Sequence, residues 1–117
     1  MTVTIYHNPR CSKSRGALAL LREHGIEPEI IEYLKTPPDR ETLAGLLALL
    51  DCRPHDVMRR KEAAYRDHAV ARLDDDGQLA ALIEHPVLLE RPIVVSGSRA
   101  VIGRPPERVL ELLAPST

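Results

Sequence analysis

Two short β-prone runs, Val3 to Tyr6 and Glu29 to Tyr33, flank a single helical stretch from Ser12 to His24. That spacing constrains the fold more than any other feature. A strand, a helix and a second strand in close succession rejoin one sheet as a parallel crossover, which is right-handed in nearly all proteins. His7, Asn8 and Pro9 are expected to break the first strand and lead to Cys11. Ala17, Leu18, Leu20 and Leu21 share one helical face, and Gly25 stands where a left-handed cap would end the helix.

The middle of the chain is helical in pattern. Thr36, Pro37, Pro38 and Asp39 form a stop followed by a cap, and Leu43, Leu46, Leu47 and Leu50 repeat as i, i+3, i+4, i+7. Between Arg53 and Asp74 shorter helices are expected around Val57 to Lys61 and Tyr65 to Val70. Asp76 is placed to cap a helix bearing Leu79, Leu82 and Ile83, which Pro86 ends. Ile93 to Val95, the turn Ser96-Gly97-Ser98 and Ala100 to Ile102 read as a β-hairpin. Pro105 and Pro106 suit a helix first turn, with Val109, Leu112 and Leu113 as its apolar face.

The order β-α-β, helices, β-β-α predicts an α/β fold of thioredoxin-like topology with a mixed four-stranded sheet. The chain of 117 residues is the size of one domain, so residues 1–117 are expected to form a single domain with a helical insertion from about Pro37 to Pro86. Neither Phe nor Trp occurs. The core must therefore be built mainly from Leu, Val, Ile and Ala.

Charge narrows the function. With 16 Lys+Arg against 17 Asp+Glu the formal charge is −1, so no global basic field draws the chain to nucleic acid or to an anionic membrane. Apolar runs such as Leu46 to Leu50 are far shorter than the roughly 20 residues of a membrane span. No secretory pattern precedes the first strand, and a cytoplasmic location is expected. The two cysteines, Cys11 and Cys52, are too few for a disulfide scaffold.

Cys11 sits in a strand-to-helix turn, where unpaired backbone N–H groups and the helix dipole favour an anion. Arg10, Lys13 and Arg15 lie nearby, and cysteines in such settings have pKa values of about 3.5–7.5. Cys52 has no such setting and reads as a structural or incidental thiol. Ser14 stands where a C-x-x-C motif would carry its second thiol, so an oxidised Cys11 needs an outside thiol or the distant Cys52. Ala17 stands where a phosphatase loop would carry its arginine. His7 with Cys11, and Cys52 with His55, are spaced like partial metal sites, but four converging ligands are not evident, so no metal is expected. Residue chemistry alone therefore reaches a reactive thiol near an anion site.

The motifs His7-Asn8-Pro9-Arg10-Cys11-Ser12-Lys13-Ser14-Arg15, Tyr33-Leu34-Lys35-Thr36-Pro37-Pro38, His85-Pro86, Arg91-Pro92-Ile93-Val94-Val95 and Gly103-Arg104-Pro105 span nearly the whole chain. In that order they resemble the glutaredoxin-coupled arsenate reductase family. The resemblance implies a thioredoxin-like fold with a helical insertion. It implies that Cys11 attacks arsenate, that Arg59, Arg91 and Arg104 surround the oxyanion, and that glutathione as cosubstrate and glutaredoxin as partner return the enzyme to its thiol form, with no bound cofactor. His7 and Ser14 match residues beside the cysteine, while Asn8 and Arg15 are candidates for shaping its loop and Arg15 is also a candidate contact for incoming glutathione. Pro92 matches the proline that thioredoxin-like folds place in cis beside the cysteine. Two other readings stay open: a glutathione-linked thiol oxidoreductase acting on another substrate, and a regulatory binding protein of the same family.

Overall fold

The computed structural model describes residues 2–113. They fall into two compact units, one formed by residues 2–33 and 91–113, the other by Leu34–Glu90. The second unit is somewhat longer than the expected insertion at both ends.

The first unit holds β1 (Val3–His7), α1 (Ser12–Glu23), β2 (Glu29–Glu32), β3 (Ile93–Ser96), β4 (Arg99–Ile102) and a 3-10 helix, Pro106–Leu113. The sheet order is β2-β1-β3-β4. β1 runs parallel to β2, with Ile5 opposite Ile30, and antiparallel to β3, with Ile5 opposite Val94. β3 and β4 are antiparallel, Val94 opposite Val101. This is the thioredoxin-like mixed sheet that the element order predicts. His7, expected to break β1, is its last residue and is buried. The hairpin turn is tighter than the Ser96 to Ser98 span, because Ser96 already pairs with Arg99 and Gly97 takes a φ of +59°.

Val3 and Ile5 from β1, Ala17, Leu18 and Leu21 from α1, Val94, Val101, Val109 and Leu112 form one apolar core. The apolar face of α1 makes that burial possible, and a Schellman arrangement stops the helix. Gly25, at φ +79°, donates to the Arg22 carbonyl at 3.0 Å, and Ile26 donates to that of Leu21 at 2.9 Å. Ile26 then packs on the core. Gly103, just past β4, is needed for space. A Cβ there would lie 2.9 Å from Pro92 Cγ and 3.1 Å from Val109 Cγ1.

The second unit holds α2 (Arg40–Leu50), α3 (Ala63–Asp67) and α4 (Asp75–Glu84), with 3-10 turns at Pro54–Val57, Val70–Arg72 and Pro86–Leu88. Asp39 caps α2 as expected, its Oδ1 accepting the Thr42 N–H at 2.8 Å. Leu43, Leu46 and Leu47 are buried, while Leu50 at the end of the stripe is only partly so. The helices between Arg53 and Asp74 lie at 54–57, 63–67 and 70–72, displaced from the two expected positions. Asp74, not Asp76, caps α4 by accepting the Gly77 N–H at 2.8 Å. Asp76 lies within the first turn and pairs with Arg40 at 2.7 Å. His55 Nε2 and the Tyr65 hydroxyl are 2.9 Å apart in a hydrogen bond. Among the described residues no helix is long and apolar enough to cross a membrane.

Two substitutions should move stability in opposite directions. Gly103→Ala forces a methyl against Pro92 and Val109 and is expected to cost about 1–3 kcal/mol. Ala69 holds a left-handed backbone at φ 49°, so Ala69→Gly is expected to stabilise by up to about 1 kcal/mol. Denaturant titration of each variant measures both effects.

Candidate active site

All the candidate site residues except Arg59 belong to the first unit. β1 ends at His7, and the chain turns through Asn8, Pro9 and Arg10 to Cys11, the N-cap of α1. The turn is fixed by its own backbone and by Asn8. The Cys11 N–H donates to the Asn8 carbonyl at 3.0 Å, and Asn8 Oδ1 accepts the Arg10 N–H at 3.0 Å. Arg15 closes the outside, its Nη1 donating to the Pro9 carbonyl at 3.0 Å.

Cys11 is a free, partly exposed thiol. Burial is the largest single influence on it and works to raise its pKa. The backbone N–H groups of Ser14 and Lys13, then the charge and hydrogen bonding of Arg91, outweigh that burial and hold the thiol below its ordinary value. These amides make no capping hydrogen bond of full geometry to the sulfur, so their effect is the favourable field of an open helix N-terminus. Cys52 is the opposite case. Burial, then the carboxylates of Asp56 and Asp51, push its pKa up, and its Sγ donates to the Leu50 carbonyl at 3.3 Å.

Behind the thiol, Ser14 is fully buried and anchors the first turn of α1. Its Oγ accepts the Asn8 N–H at 3.0 Å and lies 2.6 Å from His7 Nδ1. Burial lowers the His7 pKa, Arg22 and Arg15 push the same way, and Glu32, its register partner on β2, opposes them. The imidazole is therefore mainly neutral at pH 7 and serves Ser14 as a hydrogen-bond partner. Sequence reasoning missed Glu32; the β1–β2 register was the signal that could have found it.

Arg91 and Arg104 lie at the two ends of the β3–β4 hairpin and are tied together. Arg104 Nη1 donates to the Arg91 carbonyl at 3.1 Å, and Gly103 N donates to that of Pro92 at 2.9 Å. The Arg91-Pro92 peptide is cis, the isomer that the resemblance implies, and Arg104-Pro105 is cis as well. Arg59 belongs to the second unit, where Met58 bridges Leu89 and Arg59 N donates to the Leu88 carbonyl at 2.7 Å. Its guanidinium pairs with Glu62 at 2.7 Å, whereas the adjacent Arg60 is exposed. Among the described residues no group of three or more His, Cys, Asp or Glu side chains could hold a metal ion.

The first unit thus offers a nucleophilic sulfur with a guanidinium beside it, a setting for attack on a tetrahedral oxyanion. Alkylation should read this directly. Cys11 is expected to react with iodoacetamide well before Cys52 at neutral pH, with a rate that falls as pH drops through a pKa below that of a free thiol. Removing the cation in Arg91→Ala disfavours the thiolate, so the midpoint should move up and the neutral-pH rate fall. Peptide mapping with pH-dependent alkylation rates checks both.

Known proteins share this framework. Residues 6–112 match the ArsC family. The Escherichia coli (strain K12) protein named "Uncharacterized protein YfgD" is 49% identical over 114 residues, covering 95% of this chain and 96% of that one. The arsenate reductase of Haemophilus influenzae is 46% identical over 118 residues, covering 97% of this chain and 100% of its own. Among solved structures, an arsenate reductase from Vibrio cholerae superposes with a TM-score of 0.92 at 50% identity, covering 95% of this chain and 97% of that one. With the family match extending over nearly all the described residues, this chain belongs to the ArsC family.

Proposed function

We propose that this protein is an arsenate reductase that takes its reducing equivalents from glutathione and glutaredoxin. The observation that carries the reading is a Cys11 thiol held below its ordinary pKa by amides and by Arg91, in a chain whose relatives include proteins named arsenate reductase. In the proposed reaction the Cys11 thiolate attacks arsenic and forms a sulfur–arsenic bond, while an arsenate oxygen leaves as water. Arg91 and Arg104 offset the charge of the oxyanion and orient it for attack. Glutathione then supplies the second thiol. Two sulfurs together give up two electrons, As(V) leaves as As(III), and Cys11 and glutathione end as a mixed disulfide that glutaredoxin reduces. This chemistry needs a reducing compartment, and the proposal places it in the cytoplasm.

The lack of a second cysteine in Cys11-Ser12-Lys13-Ser14 supports an external reductant. Arg59 is assigned to the oxyanion on the family resemblance, and its partial burial beside an exposed Arg60 favours it over its neighbour.

Arsenate-dependent NADPH oxidation, coupled through glutathione reductase, glutathione and glutaredoxin, tests the proposal. Activity should vanish in Cys11→Ser and persist in Cys52→Ser. Arg59→Ala should raise KM for arsenate by about tenfold or more, the effect of losing a charge-assisted hydrogen bond, while Arg60→Ala leaves it unchanged. No arsenate-dependent turnover by the folded wild type would sink the proposal and favour a thiol oxidoreductase of another substrate.

A further inference from the structure

The consecutive cations Arg59, Arg60 and Lys61 precede Glu62, whose carboxylate pairs with the first of them, Oε1 to Nη1 at 2.7 Å. Arg60 and Lys61 stand exposed, whereas the paired side chains are only 27% and 28% exposed. Arg22–Glu27, Arg40–Asp76 and Arg53–Asp75 are by contrast half exposed or more on both partners. Water and salt therefore weaken the Arg59–Glu62 attraction less than they weaken these. The backbone beneath the pair is fixed. Arg59 N donates to the Leu88 carbonyl at 2.7 Å, Glu90 N donates to that of Val57 at 2.7 Å, and Glu62 N closes the turn onto the Arg59 carbonyl at 3.2 Å. Glu62 is also the N-cap of α3, yet its side chain accepts no bond from that helix. A cap side chain ordinarily serves the first amides of its helix. This one serves Arg59.

We propose that Glu62 is a positioning residue for oxyanion binding, its carboxylate holding the Arg59 guanidinium in place before the anion arrives. The proposal rests on the reading that Arg59 binds the oxyanion. A guanidinium on a long, rotamer-rich side chain must be ordered to meet an anion, and that ordering weakens binding. Pairing with Glu62 completes the ordering during folding. The pair engages Nη1, and a guanidinium carries several further N–H donors suited to a second acceptor. The Glu62 carboxylate also repels an incoming anion. That repulsion acts across the width of the guanidinium, whereas each anion touches the guanidinium directly, so attraction is the larger effect.

The test separates binding from reduction. Arsenate is titrated into full-length protein bearing Cys11→Ser, which lacks the nucleophilic sulfur, and the dissociation constant is read from amide NMR shifts. Adding Glu62→Ala is expected to raise it about fivefold, less than the tenfold expected of Arg59→Ala. Glu62→Gln keeps an acceptor for the guanidinium and should recover part of the loss. In an Arg59→Ala background Glu62→Ala should have no further effect, because the carboxylate acts only through that guanidinium. Tyr65→Phe removes the hydrogen bond from α3 to His55 but leaves the ion pair in place, and should leave binding unchanged. With Cys11 intact, Glu62→Ala should raise KM for arsenate and leave kcat near wild type. Tighter or unchanged binding in Glu62→Ala would overturn the proposal. An equal loss in the Arg59→Ala background, or from Tyr65→Phe, would make Glu62 merely structural and overturn it too. The functional reading fails separately. Protein that binds arsenate with this dependence on Glu62 but does not reduce it would keep the positioning role and lose the activity, whereas absence of arsenate binding would overturn the positioning role whatever the turnover.

Discussion

The antiparallel pairing of β1 with β3 is the constraint on which the candidate site depends. Tyr6 pairs with Ile93 at one end of that ladder. Beyond this pair one strand runs through His7 toward Cys11, while the other is entered from Arg91 and Pro92. Residues from opposite ends of the chain therefore meet at the same end of the two central strands. Ile5 and Val94, in the middle of the ladder, have no exposed surface, so the pairing is held by burial as well as by backbone hydrogen bonds. A register slip of one residue would move every side chain of the strand to the other face of the sheet.

At Cys11 two opposed effects are balanced by position. A thiol drawn into the protein favours its neutral form, and burial here is the largest single influence. The open end of α1 and the Arg91 guanidinium reverse the outcome. Behind the thiol Ser14 holds the first turn of α1, its Oγ bonded to the Asn8 amide and the His7 ring. A neutral His7 suits this role, since it adds no charge to compete with the thiolate. Cys52 has burial and nearby carboxylates but no such donors, and its thiol shifts the other way.

What the sequence revealed was mostly local. The Leu-rich stripe of α2, the Asp39 cap and the left-handed Gly25 depend on neighbours within one or two turns, and all three were legible. The pattern points to Asp76 as the cap of α4 where Asp74 takes that place, because which of three consecutive carboxylates caps the helix depends on where the backbone leaves extended geometry. His7 looked like a strand breaker because polarity at a strand end resembles a turn, and its partner Ser14 is set by tertiary geometry. The chemistry of Cys11 could be read from its turn. Its juxtaposition with Arg91 followed from family resemblance, since periodicity says nothing about two residues so far apart in the chain. The limits of the second unit, Leu34 and Glu90, fall outside the proline-marked turns, which record bends and not the places where the chain leaves the sheet.

The absence of Phe and Trp leaves three tyrosines as the fluorescent residues. Tyr6 and Tyr33 are buried in the first unit, whereas Tyr65 lies in the second with its hydroxyl hydrogen-bonded to His55. The chain thus carries a different optical label in each unit. A perturbation confined to the helical unit therefore reaches the tyrosine spectrum through a single phenol, the one hydrogen-bonded to His55.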